Sequence, residues 1–372
     1  MIPFCDLKPQ YLALKQSIHS RIEKVMEHGL FVNGPEVTEL EKQLAEFVGV
    51  PYALTCASGT DALLIPLMAL GIGPGDEVIT TSFSFIATAE VIALVGATPI
   101  FVDIDPDTYN LDLNQVRKAI SPKTKAIMPV SLYGQMPDME ALEAIAKEHR
   151  VYLIEDAAQS FGATWKGRRS CSYGTVSGTS FFPAKPLGCY GDGGAIFTRD
   201  EKLYKMMREI REHGSERRYY HTRLGINGRL DTIQCAVLLA KMERYPSEIT
   251  MRQQVAERYT SLLKQAGVCE IKLPMVCAEA QSVWAQYTIE IPQRDKIQTL
   301  MQEQGIPTSV HYPTIMPEQP WYQAQYAKIQ RMNFPVAKQA SERVLSLPFS
   351  PDLSAEVQEQ VVHALQVAWN KL

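Results

Sequence analysis

The chain is predicted to be an α/β protein, with a large domain on a mostly parallel mixed sheet and a smaller α+β domain at its C-terminal end. Three observations lead there. Between about residues 50 and 200, β-branched runs (EVITTS, TPIFVDI, KAIMPVSL, VYLIEDA) alternate with helical patterns (DALLIPLMALG, ATAEVIALVG, MEALEAIAKEHR), as in repeated βα units whose strands are buried on both faces. From Pro246 onward the character changes to a long helix (SEITMRQQVAERYTSLLKQAG), a strand (WAQYTIEI), a helix (IQTLMQEQG), a proline-containing loop (HYPTIMP) and a terminal helix. A length of 372 residues, 46% of them hydrophobic and 21% charged, suffices for two cores. The expected division is residues 1–245 and residues 246–372. The stretch from Glu201 to about Arg244 reads as helical with one interruption at GINGRLD. The helical segment before residue 30 is expected to cross to the small domain or to a partner.

Charge and composition exclude several classes. The net charge of −4, from 41 acidic and 37 basic residues spread along the chain, leaves no basic stripe for nucleic acid. The start, MIPFCDLKPQ, lacks a basic segment followed by an apolar one, and no apolar run is long enough to span a bilayer. A cytoplasmic location is the expectation. The seven cysteines (Cys5, Cys56, Cys171, Cys189, Cys235, Cys269, Cys277) are scattered and form no C-x-x-C pair, which suits reduced thiols. No H-E-x-x-H occurs, so no metal is expected.

The motifs follow in chain order. ASGTDALLIPL places Ser58, Gly59 and Thr60 at the start of an apolar helix, where backbone N–H groups and the helix dipole can hold a phosphate or where Ser58 or Thr60 simply caps the helix. GIGPGDEV lies after a helix and before a strand, the reverse of a dinucleotide-binding loop, and reads as a helix stop and turn. VDIDPD offers Asp103 and Asp105 either to a divalent metal, as in a glycosyltransferase, or to a turn with local Asp hydrogen bonds, which Pro106 favours. VYLIEDAAQSFGA ends a strand at Glu155 and Asp156, with Gln159 just beyond. Ligands of open α/β sheets gather at such strand ends, although a carboxylate there can also cap the next helix. In SFFPAKPLGCYGDGGA, between two further strands, Lys185 stands between two prolines among apolar and glycine residues. It is either a loop lysine that reaches water or a desolvated amine able to form a Schiff base at neutral pH. A phosphate cradle, a strand-end aspartate and then a lysine in a loop between strands come in the order expected of a pyridoxal 5′-phosphate site.

From FVNGPEVTELE through SGTDAL, GPGDEVIT, IEDAAQSFGA and the lysine stretch to GINGRLDTIQCAV and HYP at residues 311–313, the chain resembles the fold-type I, pyridoxal-phosphate-dependent sugar aminotransferases of the DegT/DnrJ/EryC1/StrS group. The resemblance implies that Lys185 carries the cofactor as a Schiff base and that Asp156 pairs with the pyridine nitrogen. It also implies that Gln159 sits near the ring hydroxyl and that Phe85 stacks on the ring. Gly59, Thr60 and Ser180 would hold the phosphate, and Asn227 would reach it from the other subunit of a homodimer. Ping-pong transfer from L-glutamate to a nucleotide-linked keto sugar is implied as well. The arginines of EHGSERRYYHTRLGINGRLD, namely Arg217, Arg218, Arg223 and Arg229, suit an acidic substrate, although a solvated loop would carry them too. With them, the chain looks most like the subgroup aminating C3 of a UDP-linked 2-acetamido-3-keto hexuronic acid, toward UDP-2-acetamido-3-amino-2,3-dideoxyglucuronate and bacterial surface polysaccharide. Arg229, His311 and Tyr312 are the candidate sugar contacts. A dTDP-3-keto-6-deoxyhexose or a UDP-4-keto sugar is the alternative substrate. A regulator that binds the cofactor without turnover, or a metal-dependent glycosyltransferase, is the alternative class.

Overall fold

In the computed structural model, which describes residues 2–268, 270–326, 328–329 and 332–372, the large sheet has seven strands among the described residues. These are β1 (Tyr52–Cys56), β2 (Glu77–Thr81), β3 (Thr98–Val102), β4 (Thr124–Met128), β5 (Tyr152–Asp156), β6 (Val176–Ser180) and β7 (Gly194–Thr198). Their spatial order is β1-β7-β6-β5-β4-β2-β3. Strands β3, β2, β4, β5 and β6 run parallel, while β7 is antiparallel to both β6 and β1. The two strands flanking the lysine stretch therefore run in opposite directions, and the loop between them opens at the carboxyl end of the parallel strands.

The strands are largely buried because helices cover both faces. On one face, α3 (Gly59–Ala69), α4 (Ala87–Leu94) and α7 (Glu201–Arg211) bury Leu63, Ile65, Val91 and Met207 against Val78, Ile154 and Ile196. On the other, α2 (Pro35–Val48) and the first half of α8 (Thr232–Gln265) bury Leu40, Leu44, Leu238 and Tyr245 against Phe161 and Phe197. Helix α3 lies so close to the sheet that a Cβ on Gly194 would stand 2.4 Å from the Ser58 carbonyl oxygen. That approach sets the distance between the start of α3 and the strand ends.

The sequence divides at Pro246, but α8 does not. It runs unbroken through Pro246 for 34 residues, giving up one backbone hydrogen bond. Both halves are anchored: Cys235, Leu238 and Tyr245 belong to the large core, and Val255, Ala256, Tyr259 and Leu263 to a second core. This second core also holds β8 (Tyr287–Glu290), β9 (Val344–Leu347), α9 (Arg294–Glu303) and α12 (Ala355–Trp369), with β8 and β9 antiparallel. We propose that the boundary between residues 1–245 and 246–372 falls inside this helix.

The expected helix from Glu201 ends at Arg211, and a short exposed hairpin pairs Ser215–Arg217 with Tyr220–His221. Left-handed backbone at His213 and Gly214 breaks the helical run. Helix α1 (Lys8–His28) lies along the first half of α8 through Leu14 and Ile18, while the Phe4 carbonyl accepts from the Phe349 N–H of the smaller unit at 2.9 Å. The N-terminal segment thus bridges both units of its own chain. GIGPGDEV forms the expected turn, with the Gly73 N–H on Asp76 at 3.0 Å. Cys269 lies outside the described residues. Among the described residues no helix is long and apolar enough to cross a membrane.

Candidate active site

Where the parallel strands end, a cavity of about 500 Å³ opens between the start of α3, the start of α4, the ends of β5 and β6, the lysine loop, and His311 and Tyr312 from beyond β8. Alternation along β5 separates its two carboxylates. Glu155 points into protein, where it accepts from the hydroxyls of Ser131 (2.9 Å) and Ser170 (2.7 Å) and from the Cys171 N–H (2.8 Å). Asp156 lines the cavity and accepts from the Thr88 hydroxyl at 2.7 Å and the Ala158 N–H at 3.1 Å. Burial pushes the Asp156 carboxyl above its ordinary range, against the Thr88 and Ala158 hydrogen bonds and the Lys185 charge. Burial disfavours its charged form, so the carboxylate calls for a cationic partner.

Lys185 lies on the cavity wall in a loop closed at its base, where the Phe181 N–H donates to Gly193 at 2.7 Å and the Cys189 N–H donates to Phe181 at 2.8 Å. Burial lowers the Lys185 pKa, and the Asp156 charge opposes that shift. Of the two readings of this lysine, the desolvated amine facing a cavity is the one the geometry fits.

Gly59, Thr60 and Ser180 meet at one end of the cavity. A Cβ on Gly59 would stand 2.6 Å from the Ser180 Cβ and 2.9 Å from its Oγ, so only glycine lets α3 begin there. Ser58 caps α3 by accepting from the Asp61 N–H at 3.1 Å, while the first-turn N–H groups of Gly59 and Thr60 have no carbonyl within the helix to reach. Capping and anion binding are therefore compatible, since they use different donors.

Phe85 presents an apolar face to the cavity, 55% exposed, with its ring centroid 6.1 Å from that of Tyr312. Gln159 is fixed at both ends of its amide: Oε1 accepts from the Tyr133 N–H at 2.8 Å, and Nε2 donates to the Tyr312 hydroxyl at 3.2 Å. His311 shares a hydrogen bond with the Ser346 hydroxyl through Nδ1 at 2.8 Å. Burial, then the Lys185 charge, holds its pKa down at about 4, which makes it a neutral imidazole in the cavity.

Four arginines and one asparagine stay outside this cavity in the single chain. Arg229 pairs with Glu212 at 3.1 Å and Arg223 with Glu209 at 2.6 Å. Arg217 and Arg218 lie over the rings of Tyr220 and Tyr219 in the exposed hairpin. Asn227 is exposed and bridges Glu212 through the backbone. VDIDPD takes the turn form: Asp105 Oδ1 accepts from the Asp107 and Thr108 N–H groups, while Asp103 accepts from those of Val336 and Ala337, at the start of α11 (Pro335–Arg343). Thr88, which donates to Asp156, and Gln286, which lines the cavity just before β8, carry no signal of these places in the sequence.

A desolvated amine, a buried carboxylate wanting a cation, a glycine-only anion cradle and an apolar wall for a flat ring fit pyridoxal phosphate. With the mixed seven-stranded sheet, they define a fold-type I aminotransferase. The chain belongs to the DegT/DnrJ/EryC1/StrS aminotransferase family, whose model matches residues 13–366. It is 53% identical to a Pseudomonas aeruginosa protein named UDP-2-acetamido-2-deoxy-3-oxo-D-glucuronate aminotransferase, over 95% of this chain and 96% of that one. A DegT/DnrJ/EryC1/StrS aminotransferase from Brucella abortus superposes with a TM-score of 0.94 at 42% identity, covering 99% of each chain. The ntda protein of Bacillus subtilis, solved with bound cofactor PMP, superposes with a TM-score of 0.89 at 31% identity, covering 99% of this chain and 85% of that one. The protein is a pyridoxal-phosphate-dependent aminotransferase.

The cradle yields a prediction. Gly59→Ala is expected to push α3 and Ser180 apart, at a cost of about 1–3 kcal/mol, and to weaken pyridoxal phosphate binding by about tenfold or more. A fluorescence titration of the apoprotein with cofactor checks it; unchanged affinity removes Gly59 from the cradle.

Proposed function

We propose that this chain moves the amino group of L-glutamate to C3 of a UDP-linked 2-acetamido-3-keto hexuronic acid. The products are 2-oxoglutarate and UDP-2-acetamido-3-amino-2,3-dideoxyglucuronate, the latter made in the cytoplasm for bacterial lipopolysaccharide O-antigen. The observation that carries the substrate is the 53% identity, along 95% of the chain, to the Pseudomonas protein named for that 3-oxo-glucuronate.

When bound, pyridoxal phosphate supplies the carbonyl that takes up the amine and the protonated ring that accepts the electron pair left by a departing proton. Lys185 Nζ would hold that carbonyl and, once displaced by the donor amine, take the Cα proton as general base. Asp156 would keep the ring nitrogen protonated through a charge-assisted pair. Gly59, Thr60 and Ser180 would hold the phosphate, Phe85 would cover one ring face, and Gln159 would sit at the ring hydroxyl. His311 and Tyr312 would meet the sugar. His311 does so as a neutral group, so its titration should leave no inflection in the rate above about pH 5, given a pKa of about 4.

A homodimer with shared sites completes this reading. Asn227 would reach the phosphate, and Arg229 the substrate carboxylate, of the partner's cavity. Exposed apolar groups support it: Leu30, Phe31 and Val32 lie beside the Asn227 loop, Phe31 through its carbonyl to the Thr232 N–H, and Phe182 stands exposed at the cavity. Monomers rarely leave such clusters bare.

The test loads the protein with pyridoxamine phosphate and follows its absorbance on adding the UDP-linked 3-keto uronic acid or a neutral dTDP-linked 3-keto sugar. Return of the visible band with the uronate alone is expected. Return with the neutral sugar alone would keep the aminotransferase and move the substrate to the dTDP-3-keto-6-deoxyhexose class.

A further inference from the structure

Lys241, in the first half of α8, is 1% exposed and ranks among the largest fully buried side chains. Burying an ammonium is expensive, and such groups are normally paired with a carboxylate. Among the described residues Lys241 forms no ion pair. The nearby Glu248 is already held by Gln10, at 3.0 and 2.8 Å, and by Arg244 at 3.4 Å. Instead, Lys241 Nζ donates to the Gly188 carbonyl at 2.6 Å and lies 4.3 Å from the centre of the Tyr190 ring. Both partners belong to the loop that carries Lys185.

That loop is fastened on the side facing α8 and open on the side facing the cavity. Gln234, about two turns before Lys241 on the same helix, grips Tyr190 twice: its Oε1 accepts from the Tyr190 N–H at 2.8 Å, and its Nε2 donates to the Tyr190 carbonyl at 3.1 Å. The single Cys189 S–H is shared between the carbonyls of Phe181 (3.0 Å) and Gly191 (3.2 Å), which holds the loop on itself. Gly188 can carry no side chain, because a Cβ would meet the Pro183 carbonyl oxygen at 2.5 Å. The Lys185 N–H donates to Phe182 at 2.9 Å, so the turn that aims Lys185 into the cavity is folded against the carbonyl-rich segment that Lys241 and Gln234 hold. A methionine would fill the space of the Lys241 stem, but only a donor reaches the Gly188 carbonyl.

We infer that Lys241, assisted by Gln234, is a positioning residue for the cofactor lysine: it fixes the loop from behind so that Lys185 Nζ stands where pyridoxal phosphate can be held. The inference rests on Lys185 as the cofactor lysine. The Lys241 charge does not figure among the causes of the lowered Lys185 pKa, which are burial and Asp156. Its action is therefore on place and not on acidity.

The experiment measures, in folded protein, the fraction of pyridoxal phosphate trapped on Lys185 by borohydride, the pH dependence of the visible absorbance of bound cofactor, and kcat and KM for the amino donor. Lys241→Met is expected to lower the trapped fraction several-fold and kcat by about tenfold or more, with KM little changed and the absorbance midpoint within a few tenths of a pH unit of the parent. Lys241→Arg, which keeps a donor, is expected to recover much of the trapping. Parent-level trapping and kcat in folded Lys241→Met would overturn the inference, as would a shifted midpoint with normal trapping. If Lys241→Met does not fold, Gln234→Ala decides: a several-fold loss of trapping supports the clamp and unchanged trapping overturns it. Lys185→Ala separates the two readings, since trapped cofactor in that variant would remove the premise itself.

Discussion

Lys185→Ala is expected to bind pyridoxal phosphate without covalent attachment and to lose turnover by about a thousandfold or more, the scale of removing both a covalent anchor and a general base. The expectation starts from the burial that lowers the pKa of this amine. At any given pH more of this amine is then in the uncharged form, able to attack a carbonyl, than of an exposed lysine. Alanine removes the nucleophile and the base together. It leaves the loop in place, because the bonds that close it run through the backbone of Phe181, Cys189 and Gly193 and through Lys241 and Gln234. The apoprotein should therefore melt within a few degrees of the parent, and loss of activity should not track loss of fold. Borohydride reduction followed by mass measurement of the peptide around residue 185 is the check. Cofactor mass on that peptide in the parent and none in the variant is the expected pair of results. Parent-rate conversion of glutamate by the alanine variant would remove Lys185 from the chemistry and leave the cavity without its base.

The parts legible in the sequence were those where local pattern and local chemistry coincide. Most of the buried parallel strands are legible as β-branched or apolar runs, and Asp156, Lys185 and the Gly59 turn stand out because each is polar or glycine at the edge of such a run or of an apolar helix. The strand YALTC is not legible, since five residues after a proline and a glycine turn carry too little pattern to separate strand from helix edge. Proline at 246 looked like an end, yet two cores pull on one helix, and tertiary packing outweighed the missing hydrogen bond. Thr88, Gln234 and Lys241 were invisible for a different reason. Their roles exist only across the fold, 68 residues away from Asp156, 44 from Tyr190 and 53 from Gly188. Asp103 shows the converse: its pattern suggested a metal or a local turn, and it caps α11 some 234 residues on. The arginine-rich stretch is legible as charge but not as place, because in the single chain Arg229 pairs with Glu212 outside the Lys185 cavity.

Asp156→Asn is expected to separate catalysis from folding. In the apoprotein the Asp156 pKa is raised above its ordinary value of 3.8, burial outweighing the Thr88 and Ala158 hydrogen bonds and the Lys185 charge. Between the ordinary value and the raised one, the folded protein holds a proton that the unfolded chain has released, so stability falls as pH climbs through that window. Asparagine carries no charge and escapes this cost, while its carbonyl oxygen can still accept from the Ala158 N–H. Apo Asp156→Asn should thus be as stable as the parent near pH 4 and at least as stable above it, with the advantage growing as pH rises through that window and level beyond it. Catalysis should move the other way. Without the carboxylate, nothing holds the ring nitrogen protonated, and loss of one preorganised electrostatic partner costs about 10²–10³ in rate. Cofactor should also raise the melting temperature less, since that stabilisation depends on affinity for the folded state. Thermal melts of apo and loaded protein from pH 4 to pH 8, beside single-turnover rates with glutamate, measure both halves. A variant less stable than the parent at every pH would make Asp156 a structural carboxylate, and a variant that transfers amine at the parent rate would take the ring nitrogen out of its charge.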